Sequence, residues 1–145
     1  MAILTDDMKR VIREQRLGFY ATVCEDGSPN LSPKGSTFVL DDDHLFFADV
    51  RSPQTVANIR RGSLVEVNVL DPAARRGYRF KGPAAVHEAG TSRFAEGVER
   101  LRDTGSPLAD RARRPCARRS PLRPSSRPSE PATASASPTR SAASR

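Results

Sequence analysis

Cysteine is scarce in this chain: Cys24 and Cys116 are the only two among 145 residues. Lying so far apart, they supply neither a disulfide framework nor the closely spaced ligands of a metal site. Cys24 falls at the end of a strand-like stretch, where packing suits it better than reactivity. Histidine is equally sparse. His44 follows an aspartate run at a turn and is expected to be exposed. His87 ends a strand-like stretch, and neither histidine has a second His, Cys or carboxylate at ligand spacing. No Ser/His/Asp set points to a hydrolase. Long apolar runs are also missing, since none approaches the ~20 residues needed to cross a bilayer. The first residues, Met1 to Asp7, lack the basic stretch and apolar core of a secretory signal. The cytoplasm is therefore the expected location.

Negative charge is lacking in one region only. From Arg111 onward there are nine arginines and a single acidic residue, Glu130, which leaves 15 basic against 16 acidic residues before it. The pI near 10.4 thus describes the C-terminal segment and says nothing about the body of the chain. From Ala109 to Arg145 the text is almost wholly Arg, Pro, Ser, Ala and Thr, with Leu122 its one large aliphatic residue. Such a segment cannot bury enough apolar area to offset the entropy of ordering it. The expectation is one domain over residues 1–108 and a disordered tail over 109–145. That tail reads either as a basic arm for nucleic acid or as the out-of-frame end of a GC-rich gene, and the second reading is favoured.

What remains has clear periodicity. Thr5 caps a first helix, Asp6 and Asp7 suit its dipole, and Met8, Val11 and Ile12 recur at helical spacing. Phe19–Cys24 is rich in strand formers, and Asp26-Gly27 marks a hairpin. A second extended stretch runs from Asn30 to Leu40, broken by Pro33 and Gly35, which predicts a bulge or an edge. His44–Val50 is a third strand. Ser52 as N-cap, Pro53 in first position and Gly62 at the far end frame a second helix. Leu64–Leu70 alternates cleanly, and Tyr78–Val86 alternates until Gly82 and Pro83 interrupt it. Thr91 or Ser92 caps a last helix with the stripe Phe94, Val98 and Leu101. Strands joined by hairpins outnumber helices, so the fold class is mainly β: an antiparallel barrel with short helices.

Two segments carry the chemistry. Arg51-Ser52-Pro53-Gln54-Thr55 sets a cation and two hydroxyls at a helix N-terminus, where unpaired N–H groups favour an anion such as phosphate. The same residues are also those of an ordinary capped helix with a solvated arginine. Asn30-Leu-Ser-Pro-Lys-Gly-Ser-Thr37 places Lys34 beside strand breakers that let a ligand approach the backbone. It equally describes a bulged edge strand with a solvated lysine.

In their order, GFYATV, DGSPNLSPKGS, LFFADVRSPQTVANIRR, LVEVNV and GYRFKGPA resemble the pyridoxamine 5′-phosphate oxidase-like FMN-binding split-barrel family, over residues 18–84. The resemblance implies FMN as cofactor and an oxidoreductase moving hydride or electrons between flavin and a small organic substrate. It implies that Ser32, Pro33 and Lys34 lie along the flavin, that Phe47, Ala48 and Asp49 pass its ring, and that Arg51 and Ser52 meet the phosphate, supported by Gln54 or Thr55. It implies a homodimer with FMN at the interface, to which Asn68, Arg79 and Lys81 of the second subunit contribute. No general acid or base is assigned, because the cofactor supplies the reactive atom.

The chain departs from the family after Gly90. The aromatic and basic extension that holds pyridoxamine phosphate is missing, and the tail stands where a last barrel strand is expected, leaving an open edge. A non-enzymatic FMN binder, the same fold holding a deazaflavin or haem, and nucleic-acid binding through the tail are the competing readings.

Overall fold

Hairpin pairing builds the first sheet. The computed structural model describes residues 3–107 and 114–117, and its elements are α1 (Asp6–Gln15), β1 (Gly18–Val23), β2 (Pro29–Lys34), β3 (Thr37–Val39), β4 (Leu45–Asp49), α2 (Pro53–Arg60), β5 (Val65–Asp71), β6 (Arg76–Gly82), β7 (Ala85–Val86), α3 (Ser92–Asp103) and β8 (Arg114–Ala117). The β1–β2 hairpin closes at Gly27, whose φ of 82° requires the left-handed region. Ser28 donates through both N–H and hydroxyl to Asp26 Oδ1, which holds that carboxyl below its usual range. One sheet runs β2-β1-β5-β6 and the other β3-β4-β8-β7, with every pair antiparallel.

The two sheets exchange strands. The stretch Asn30–Leu40 divides at Gly35-Ser36 into β2, an edge of the first sheet, and β3, an edge of the second. Likewise Tyr78–Val86 divides at Gly82-Pro83 into β6 and β7. The breakers read as bulges are the corners at which extended chain leaves one sheet for the other.

Between the sheets lies the main core. Tyr20 of β1, Val65, Val67 and Val69 of β5, and Phe80 of β6 meet Leu45 and Phe47 of β4, with Val11 and Ile12 of α1 closing one end. Alternation along β5 makes this possible, since every second side chain points inward. The opposite face of β4 carries Phe46 and Ala48 beneath Leu101 of α3, joined by Phe38 and Leu40. β4 is therefore buried on both faces. Thr5 and Thr91 cap α1 and α3 as their sequences indicate.

Three expectations need correction. The chain was read as ending its barrel at Leu108 without a last strand. Instead Arg114–Ala117, inside the segment set apart as tail, runs as β8 between β4 and β7. Strand pairing is made by backbone groups, so a strand of this kind leaves no mark in apolar periodicity. The disorder expected of the rest of 109–145 concerns residues outside those described. His44 is half-buried rather than exposed, with Nδ1 2.6 Å from Asp41 Oδ1. Burial pushes the Asp41 carboxyl up, but the Asp43 N–H and the His44 ring outweigh it and leave the group below its ordinary value. Ser52 occupies the N-cap position of α2, yet its side chain makes no cap bond. No helix among the described residues is long and apolar enough to cross a membrane.

Two tests follow from the packing. A Cβ on Gly97 of α3 would stand 2.2 Å from the Phe46 ring. Gly97→Ala should cost about 1–3 kcal/mol by overpacking, read as a lower urea midpoint, and an unchanged midpoint would mean that α3 does not press on β4 as described. Asp7 accepts the Tyr78 hydroxyl and the Arg10 and Arg76 guanidiniums, which hold its carboxyl below the ordinary value. A depressed carboxyl stabilises the fold above its unfolded pKa, and the contribution is lost as pH falls through the folded one. Between about pH 6 and about pH 3 the wild-type Tm should therefore fall further than that of Asp7→Asn.

Candidate functional site

β2 lies at the edge of its sheet, facing both β4 and α2. Its even-numbered side chains turn inward: Lys34 is only 8 % exposed, and Asn30 and Ser32 are half-buried. Lys34 donates to the Ser32 hydroxyl, and its Nζ lies 5.7 Å from the centre of the Phe47 ring. The Lys34 carbonyl accepts the Thr37 hydroxyl at 3.1 Å, and Thr37 Oγ1 in turn accepts from Tyr20 OH at 3.2 Å. Gly18 stands opposite Lys34 in the β1–β2 register, and any Cβ there would meet Thr37 Oγ1 at 2.6 Å. A missing side chain on β1 thus makes room for the clamp that sets the Lys34 backbone.

At the other end of β2, Asn30 Nδ2 donates to Thr22 Oγ1 at 2.9 Å and to Thr55 Oγ1 at 3.1 Å. Asn58 of α2, fully buried, donates to the same Thr22 oxygen at 2.9 Å. Its own Oδ1 accepts from Gln54 at 2.8 Å and from Arg61 at 2.7 Å. This polar cluster ties α2 to β1 and β2. Sequence reasoning missed Thr22, Thr37 and Asn58, for a lone amide or hydroxyl within a regular element has no spacing to betray it.

The start of α2 is differently made. Ser52 donates through its N–H, at 3.0 Å, and through its hydroxyl to Asp49 Oδ1. Pro53 has no N–H to satisfy, and no side chain caps the helix. The N–H groups of Gln54 and Thr55 are consequently open to a ligand or to water. Arg51, just before them, is exposed and has no partner among the described residues.

Ser32, Lys34, Phe47, Asp49, Ser52 and Thr55 thus gather where β2, the end of β4 and the start of α2 meet. Within that group the Phe47 ring packs on Tyr20, with centroids 4.5 Å apart, and belongs to the core rather than to an open wall. Ala48 is also buried, its N–H and carbonyl both bonded to Ser36 Oγ at 3.1 Å. Pro33 points the other way and is exposed. The Gln54 side chain turns to Asn58 and borders a shallow cavity of about 430 Å³, together with Cys24 and Arg61. Asn68, Arg79 and Lys81 are not brought to this group. They occupy the outer face of the first sheet, in register with Phe19 and Glu66, and Arg79 Nε lies 3.6 Å from Glu66 Oε1. From that face they cannot reach the Lys34 side of their own subunit.

Two sheets exchanging strands at glycine corners, with a buried lysine on an edge strand beside an uncapped helix, define a split barrel of the flavin-binding kind. The chain belongs to the pyridoxamine 5′-phosphate oxidase family, whose model matches residues 4–117 and so includes β8. Among solved structures it is similar to HupZ of Group A Streptococcus, at 25 % identity and a TM-score of 0.69 over 83 % of this chain and 90 % of that one. It is similar also to a pyridoxamine 5′-phosphate oxidase candidate from Lactobacillus delbrueckii, at 27 % identity and a TM-score of 0.67 over 86 % and 93 %. HutZ, the haem storage protein of Vibrio cholerae, shares the fold at 18 % identity and a TM-score of 0.65 over 86 % and 91 %. The comparison with curated proteins finds no match.

Asn58→Ala tests the polar cluster. It strips Gln54 and Arg61 of a common acceptor and leaves Thr22 short of a donor. A loss of about 1–3 kcal/mol is expected on unfolding by denaturant; a neutral result would show that water replaces the amide at no cost.

Proposed function

We propose that the chain binds FMN where β2, β4 and α2 meet and serves as a flavin-dependent oxidoreductase on a small organic substrate. The observation that supports this reading most is the buried ammonium of Lys34 on the edge strand, set near a helix start with open N–H groups and an unpaired Arg51. The donor set fits a phosphate-bearing flavin: two cations, two backbone N–H groups, and the amide and hydroxyl of Asn30 and Thr55. Bound FMN would supply the hydride or electron transfer. The residues of this chain would bind and orient it, and Lys34 would lower the energy of negative charge on the reduced ring. No side chain is assigned as acid or base.

The site is completed by a second copy of the chain. Leu17, Val23, Leu31, Leu64 and Leu70 are the exposed large hydrophobics among the described residues. By the strand register all five fall on the outer face of the first sheet, with Phe19 and Ala21 between them. An apolar face of this extent suits burial against a partner. The neighbouring Glu66, Arg79 and Lys81 offer both signs of charge, as a self-complementary contact requires. Asn68, Arg79 and Lys81 then face the partner's flavin. A cytoplasmic location accords with this cofactor. The nucleic-acid reading rests on a tail outside the described residues and draws no support from the barrel.

The test is an absorbance spectrum of the purified full chain, before and after adding FMN. Flavin bands co-eluting with a dimer are expected; a Soret band with added haem and no flavin binding would move the assignment to haem, and a deazaflavin spectrum would do likewise. Bound flavin that neither a nicotinamide cofactor nor oxygen turns over would leave a binder without enzyme activity. Lys34→Ala should weaken FMN binding by about tenfold or more and lower the midpoint potential. An unchanged potential would remove Lys34 from the ring.

A further inference from the structure

We infer that Asp49 sets how well this site accepts a phosphate dianion, acting as an internal anion at the start of α2. The inference rests on the flavin reading above and concerns which form of the flavin is taken.

Two observations carry it. The first is chemical. A carboxylate only accepts hydrogen bonds, so both the N–H and the hydroxyl proton of Ser52 are committed to Asp49 Oδ1. Toward a ligand Ser52 then shows oxygen lone pairs and no proton. It can accept from a ligand hydroxyl, such as one on a ribityl chain, but it cannot donate to phosphate oxygen. The hydroxyl that the Arg51-Ser52 pair brings to an anion site is spent inside the protein.

The second is electrostatic. Asp49 ends β4 three residues before the helix, so its negative charge stands beside the N–H groups of Gln54 and Thr55 that would hold a phosphate. Like charges at such separations repel by about 1 kcal/mol in water and by more in a partly buried crevice. Arg51 and Lys34 oppose that repulsion without removing its source. Because Ser52 is buried, the Asp49–Ser52 pair is partly shielded from the water that would otherwise screen it. The outcome is a site that binds the flavin ring and ribityl chain while giving the phosphate less than a neutral residue at position 49 would give.

The experiment compares FMN with riboflavin, which differs from it by the phosphate, on the full chain by fluorescence titration. The variants are Asp49→Asn, which can still accept both Ser52 bonds, Asp49→Ser as a second neutral replacement, and Asp49→Glu, which keeps the charge. The ratio of riboflavin Kd to FMN Kd should rise about five- to tenfold in both neutral variants and stay near wild type in Asp49→Glu. A purely structural role would move both ligands together and leave the ratio unchanged, and that result would overturn the inference, as would a fall in the ratio. If neither flavin binds to the wild type or to any variant, the flavin reading fails and this inference fails with it. An unmoved ratio on a protein that does bind flavin defeats the inference alone.

Discussion

Extended chain that is too long for one sheet must turn a corner, and in this fold it does so twice. Lys34 and Thr37 are three residues apart, yet one belongs to the edge of the first sheet and the other opens the second. The corner at Gly35-Ser36 aims Lys34 inward and lets Ser36 satisfy both backbone groups of Ala48. The corner at Gly82-Pro83 returns the chain to the second sheet as β7. Closure, core and candidate site all depend on these breaks, because only a strand that leaves its sheet can present one side chain to the crevice and the next to the other wall.

Much of this was legible. Thr5 and Thr91 announced their helices, Asp26-Gly27 its hairpin, and the alternation of Leu64–Leu70 its inward valines. Pro33, Gly35, Gly82 and Pro83 marked where ladders break. What they could not reveal was the destination of the chain after each break, which is set by tertiary partners rather than by local preference. Ser52 looked like a cap in sequence, but a carboxylate three residues upstream competes for the same hydroxyl and wins. Local rules see the helix side of that contest and miss the strand side.

The site was legible in its cations and obscure in its scaffolding. Lys34 and Arg51 stand out because charge beside strand breakers or a helix start is unusual. Thr22, Asn30, Thr37 and Asn58, which fix the geometry, are small polar residues in regular elements, and their role appears only when strands are paired. The alternation of Asn68, Arg79 and Lys81 correctly gave them a common face. It could not distinguish a wet surface from one turned toward a partner. β8 is the plainest case of structure without a sequence signature, since Arg114–Ala117 shares the composition of everything after it and pairs through backbone alone.

β4 is enclosed on four sides: Leu45 and Phe47 by the barrel, Phe46 and Ala48 by α3, and its two edges by β3 and β8. A segment so held has no partial way of opening, because exposing any one of its amides to solvent means dismantling a neighbouring layer. Its hydrogen-exchange protection is therefore tied to global unfolding, while the β2 edge and the start of α2 can fluctuate independently of it. The molecule divides into a rigid spine and a yielding rim, and the candidate ligand lies along the seam between them.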